Sequence, residues 1–244
     1  MGRSIWFGVT LVIAASCVGL GFWQLDRRAQ RLERNAEATA GRSLPPLDLN
    51  LAGGEVQAQR RVVVRGEFDH DAELILRSHL WMGAPGIHVV TPLRLAGTDR
   101  AILVNRGFVP SADAATPDEP VPVEAGEVVL EGIVVPVPAT GDGGQPAERD
   151  GRVSWRRLDL PTLRERLGYP LLAVYLLPET PNPAGPWPRR VEWPGLDQGP
   201  HLSYALQWFG IAAAVLAFGV IFVLGVGRAQ AAEQVVPPPP STMS

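Results

Sequence analysis

The sequence contains no lysine, and all 22 of its basic residues are arginine, a bias of composition rather than of function. Cysteine is nearly absent too: Cys17 is the single one and lies inside an apolar run, so the polar part of the chain can form neither a disulfide nor a thiolate metal site. A net charge of −3 offers no basic surface for nucleic acid. The chain has no Gly-rich phosphate loop, no His-Glu-x-x-His and no Gly-x-Ser-x-Gly. With no nucleophile and base to pair, an enzyme is not expected.

Two long uncharged apolar runs stand out against these absences, Ile5 to Leu25 and Leu202 to Val226. Each is close to the ~20 residues that cross a hydrocarbon core as a helix. A secretory cleavage site would need small residues just after the first run, but Ala38-Thr39-Ala40 lies beyond a charged stretch, so a retained span is expected. Two spans put both termini on one side. Arg27, Arg28, Arg31 and Arg34 crowd the far end of the first run and would draw the large segment to the cytoplasm. The rule is weakest for long loops, so charge leaves orientation open.

Between the runs, 26–200 suffices for one domain. Asp26 to Ala40 continues the first helix in polar form, with Gly41 as a stop, and Ser43 to Gly54 reads as a linker. Short β-branched runs bounded by turn residues then predict strands at Arg61–Phe68, Glu73–His79, Ile87–Leu95, Ala101–Asn105, Val128–Val137, Val153–Leu158 and Leu171–Leu177. A helix is predicted over Leu160–Leu167, capped by Asp159, with Trp155 packing the core. Little room for crossover helices makes the sheet mainly antiparallel, a curled sheet or open barrel. Ala112 to Val123 and Ala139 to Gly151 read as loops, Pro178 to Pro200, with seven prolines, as extended chain, and Val235 to Ser244 as a disordered tail. The expected organisation is a membrane helix over 1–25, a helical extension and linker over 26–60, a β-rich (α+β) domain over 61–178, a Pro-rich return over 179–200, a second membrane helix over 201–227 and a tail over 228–244.

Three of the four histidines, His70, His79 and His88, are spaced nine apart, which changes strand face at every step and fits no standard metal motif. His201 opens the second apolar helix behind Gly199-Pro200. The partial positive charge of a helix N-terminus favours neutral, metal-ligating imidazole over imidazolium. At helical spacing Tyr204 and Trp208 share its face and offer aromatic surface to a flat macrocycle. Trp23 and Gln24, at the end of the antiparallel first span, come to the same membrane level. Gly19 and Gly21 make room either for a ring or for close helix packing. The competing reading is an interfacial aromatic belt with no cofactor. Arg27 and Arg28 either meet propionates or end the span and reach headgroups, the second reading being favoured for Arg28. Arg106 either is presented to a propionate or to a partner protein, or sits in a tight Asn105-Arg106-Gly107 turn.

Four segments, in order, carry a resemblance: Gly21-Phe22-Trp23-Gln24-Leu25-Asp26-Arg27-Arg28, Pro85-Gly86-Ile87-His88-Val89-Val90-Thr91-Pro92-Leu93, Val104-Asn105-Arg106-Gly107-Phe108-Val109-Pro110 and His201-Leu202-Ser203-Tyr204-Ala205-Leu206-Gln207-Trp208-Phe209. Together they resemble the Surfeit-locus (Surf) family of cytochrome c oxidase assembly factors. Gln30, Phe108 and Gly199-Pro200 depart from the family pattern. The resemblance implies a multi-pass protein of the plasma (inner) membrane with cytoplasmic termini and its domain on the outer face. It also implies a role in maturing haem-copper oxidases, with oxidase subunits, and haem a synthase beside them, as partners. The implied cargo is haem a, with His201 the axial ligand to its iron, Trp23, Tyr204 and Trp208 the ring contacts, and Gln24, Arg27 and Arg106 the polar partners. A scaffold that binds oxidase subunits without haem is the alternative.

Overall fold

The first apolar run and the charged stretch after it form one helix, because neither Pro nor a stop signal interrupts the chain before Gly41. In the computed structural model, which describes residues 3–53, 55–137, 146–149, 152–179 and 187–233, this helix is α1 (Arg3–Ser43); α2 (Leu160–Leu167) and α3 (His201–Glu233) follow. The chain divides into two compact units, Met1–Asn35 with Asp197–Ser244, and Ala36–Leu196. The tail expected over Val235–Ser244 and the middle of the two Pro/Gly-rich segments lie outside the described residues.

The first unit is a pair of helices, both long and apolar enough to cross a membrane. They meet through small side chains: Ala14, Cys17 and Gly21 of α1 and Ala205 and Ala212 of α3 are buried, which lets the backbones approach closely. A Cβ on Gly21 would fall 2.4 Å from the Phe209 ring, so this glycine serves helix packing, whereas Gly19 faces open space. Phe22 packs edge-on against Phe209 and Trp6 edge-on against Phe222. Much of the remaining apolar surface faces outward, as in Val12, Phe22, Phe218 and Ile221.

The second unit is built on β1 (Leu47–Asp48), β2 (Arg61–Phe68), β3 (Leu74–Trp81), β4 (Ala84–Leu95), β5 (Ala101–Pro110), β6 (Glu127–Pro136), β7 (Ala147–Arg149), β8 (Arg152–Trp155) and β9 (Leu171–Pro178). The hydrogen-bonded order is β1-β2-β6-β9-β5-β4-β3-β8-β7, and β2 also pairs with β4. That extra pairing closes β2, β6, β9, β5 and β4 into a five-stranded barrel, where the sequence suggests at most an open one. Gly66 permits the closure: it lies opposite Leu95, and a Cβ there would sit 2.0 Å from the Arg94 carbonyl oxygen. Most pairings are antiparallel; β1–β2, β3–β8 and β5–β9 are parallel.

Alternation along the strands sorts the core into two large clusters and a smaller one of Ile75, Ile87, Val89 and Val109. Val62, Val64, Leu93, Ile102, Val104 and Leu176 belong to one apolar cluster, while Leu74, Val90, Leu103 and Trp155 belong to another with Leu160 and Leu163 of α2. Each such side chain, fully buried, contributes ~1.5–3 kcal/mol. Asp159 stands at the N-cap of α2, but its carboxylate accepts from the Thr162 hydroxyl instead of a backbone N–H. Gly168 ends α2 in the left-handed region. The segment 43–54, expected as linker, contains β1, and the expected 139–151 loop contains β7.

Candidate functional site

The site at the start of α3 is built by a turn and held by an arginine-rich helix. Pro200 cannot continue a helix backward, and its carbonyl accepts from the Tyr204 N–H at 3.1 Å and the Ser203 hydroxyl at 2.8 Å, fixing the first turn of α3. Gly199 takes φ +65°, and its N–H donates to Asp197 Oδ1 at 2.8 Å. Arg31 grips the same residue, with Nη2 2.9 Å from Asp197 Oδ2 and Nε 3.0 Å from its carbonyl, and Asn35 Nδ2 adds a bond to that carbonyl at 2.9 Å. The Gly199 N–H, and then Arg31, hold the Asp197 carboxyl below the usual carboxylate range. Arg28 donates to Gln198 Oε1 at 3.4 Å.

His201 is half-buried, and its Nδ1 lies 2.9 Å from Gln24 Oε1. An amide oxygen can only accept, so Nδ1 is the donor in this bond and Nε2 is the nitrogen turned away from Gln24. Gly199 packs beside the other end of the ring, where a Cβ would stand 3.4 Å from Nε2 and 3.3 Å from Cδ2. An imidazole oriented by a second residue through one nitrogen is the arrangement used by metal-ligating histidines.

Of the residues singled out from sequence, the structure brings His201 and Gln24 into direct contact. Trp23 and Tyr204, on either side of that pair in the chain, expose about half of their surface, while Trp208 is half-buried one helical turn further along α3. Arg27 is exposed, bonding locally to Gln30 Oε1 at 3.1 Å.

Arg106 is corrected. It lies in β5, not in a turn: Asn105 pairs with Val90 and Gly107 with Val89, so Arg106 is the extra residue of a bulge and the strand runs on to Pro110. Its side chain is fully buried, with Nη1 3.0 Å from Glu73 Oε2, Nε 3.1 Å from Glu124 Oε1 and Nη2 donating to the Pro122 carbonyl. Its guanidinium also lies over the Phe68 ring. Its donors are committed inside the β domain, so it has no part in the site at His201.

Sequence reasoning missed the clamp on the turn. Asp197 and Gly199 just before a helix start were its readable signal, and the partnership with Arg31 and Asn35 depends on the register of two helices distant in sequence. It also missed that His79 and His88, on β3 and β4, stack at 3.7 Å between ring centroids. Burial pushes both imidazoles down, His88 to about 3 with His79 as a second cause. His70 instead bonds the Glu124 carbonyl. Among the described residues, no three His, Cys, Asp or Glu side chains converge as metal ligands.

Comparison with known proteins bears on both units. Residues 11–213 match the family model described as the SURF1 family. The chain is 33% identical to a SURF1-like protein of Monosiga brevicollis, with 83% of this chain and 81% of the relative aligned. It is 28% identical to Surfeit locus protein 1 of Homo sapiens, covering 84% and 73%. With an uncharacterized SURF1-like protein of Mycobacterium tuberculosis it shares 27% identity over 98% and 90%.

Proposed function

The chain belongs to the SURF1 family, and from that membership we propose a membrane-anchored assembly factor for a haem-copper cytochrome c oxidase that holds haem a transiently where the apolar part of α1 ends and α3 begins. In this reading α1 and α3 cross the plasma (inner) membrane, both termini are cytoplasmic, and the β domain stands on the outer face. Oxidase subunits receive the cargo, and haem a synthase is the candidate donor.

The observation that carries the reading is the Gln24–His201 bond, which orients the ring through Nδ1. The donor set fits a haem: one imidazole, oriented through its other nitrogen, near exposed aromatic faces. The bound group would supply an iron that accepts the Nε2 lone pair. The chain's own residues do the rest. Gln24 fixes the tautomer, the Asp197 turn fixes where α3 begins, Trp23, Tyr204 and Trp208 offer ring surface, and Arg27 offers a guanidinium to a propionate. A single protein ligand suits a cargo that must be released.

The test is the optical spectrum of the detergent-purified protein, made where haem a is synthesised, beside His201→Ala. A Soret band with a haem a signature, lost in the variant, is expected. A haem-free wild type under haem-sufficient conditions overturns the reading in favour of the scaffold.

A further inference from the structure

The helix pair carries a second feature, an apolar groove of about 580 Å³ lined by Trp6, Val9 and Ile13 of α1 and Val215, Phe218 and Phe222 of α3, among others. This volume is within the range of small-molecule sites. Thr10 is the one hydroxyl on the lining, and it is spent on the Trp6 carbonyl at 2.9 Å, so the groove offers nothing to a headgroup or a sugar.

Helical spacing connects this groove to the His201 site. On α3, Tyr204, Trp208, Ile211, Val215, Phe218 and Phe222 follow steps of four and three, which is one continuous stripe. On α1 the matching stripe runs Trp23, Leu20, Ser16, Ile13, Val9 and Trp6. The deep ends of both stripes line one groove, so both stripes lie on the same flank of the pair. Trp23 and Tyr204 are the other ends of the two stripes, within three residues of Gln24 and His201 in the chain. Gln24 and Ile13 are eleven residues apart, about 16 Å along the axis, and His201 and Val215 are fourteen apart, about 21 Å. At the deep end the Trp6–Phe222 contact, 6.1 Å between centroids, gives the groove a floor.

An elongated apolar chain anchored to a group at His201 fits this lining and these axial distances. We infer that the groove receives the isoprenoid tail of the haem whose iron meets His201. This rests on the proposed function and assigns it a selectivity: the protein would choose haems by their tail as well as their ring. Lipid and detergent solvate a free tail nearly as well as an apolar groove does, so the preference comes from packing and is on the order of tenfold.

The test uses the full chain in detergent and a pair of haems that share a ring and differ in the tail, haem o with it and haem b without, titrated by the Soret shift. Wild type is expected to bind haem o about tenfold more tightly. Ala214→Trp, and separately Val9→Trp, fill the groove from opposite helices and should bring the two affinities together while haem b affinity stays, which also shows the helix pair intact. Equal affinities in wild type, or a tail preference that survives both fillings, overturn the groove assignment and leave the haem site standing, the groove then holding only lipid or detergent. Failure of both haems to bind, or binding indifferent to His201→Ala, overturns the site and the groove together.

Discussion

Gln24 Oε1 accepts a hydrogen bond from His201 Nδ1 at 2.9 Å, tying together side chains 177 positions apart in the sequence. The consequence is a ring whose tautomer and direction are set before any ligand arrives. Gln24→Leu keeps the bulk and removes the acceptor. Haem affinity by Soret titration is expected to fall about 10–100-fold, the usual cost of losing the residue that orients a ligating histidine. A variant that binds as well as wild type would remove Gln24 from the site.

Gly199→Ala tests the turn. An alanine at φ +65° costs ~1–2 kcal/mol, and its methyl group would press on the His201 ring beside Cδ2 and Nε2. A lowered melting temperature together with an altered Soret position is expected. Arg31→Ala, which loosens the same turn without crowding the ring, should weaken binding and leave the Soret position in place.

Arg106→Met takes the nearer cation from the buried Glu124 carboxylate, 5% exposed, and leaves it Arg190 Nη2 at 4.0 Å. Breaking a buried pair from one side costs ~3–5 kcal/mol, so urea unfolding of the β domain should shift by that order. Adding Glu124→Gln should recover part of the loss. The haem spectrum of any protein that folds should be unchanged, which separates Arg106 from the cofactor site.

The stacked histidines give a pH dependence. His88 stays neutral in the fold down to about 3 because of burial, then His79. The unfolded chain takes up that proton near 6.5, so between about 6.5 and 3 it binds more protons than the folded one. Stability therefore falls as pH falls through that window, by up to ~1.4 kcal/mol per pH unit from this residue. His88→Asn should flatten the dependence of the unfolding midpoint between pH 4 and 6.5; an unchanged slope would show that other groups set it.

Legibility from sequence followed the range of the interactions involved. β2, β4, β6 and β9 are β-branched runs with turn residues at their ends, and they lie within a few residues of the stretches read from the pattern. β5 reads as if it stopped at Asn105, because Asn-Arg-Gly has turn chemistry; the partners that make Arg106 a core residue come from Glu73, Pro122 and Glu124. β1 and β7 are too short to carry a pattern and exist only through their neighbours. Gly66 inside a strand hinted at a close backbone approach, but not which strand it meets. At α1 and α3 the candidate residues were visible because His201 opens α3 and Trp23, Gln24, Tyr204 and Trp208 lie near the ends of the apolar runs; of these, the structure brings Gln24 and His201 together. The Arg31–Asp197 clamp was not, since it depends on helix register.

Barrel closure also decides what the β domain shows to other proteins. Nine strands arranged as an open sheet would leave long rows of unpaired amides at both margins, templates for adding a foreign strand. Here the strands at the ends of the order are β1, of two residues, and β7, of three. The outer side of β3 beyond Leu76 is interrupted by a bulge, and the Ser78 N–H there is taken by the Ala114 carbonyl. A partner approaching the described part of this domain must bind side chains, not extend the sheet. Recognition through side chains can be lost with one substitution and rebuilt with another, whereas strand addition would accept many sequences indiscriminately.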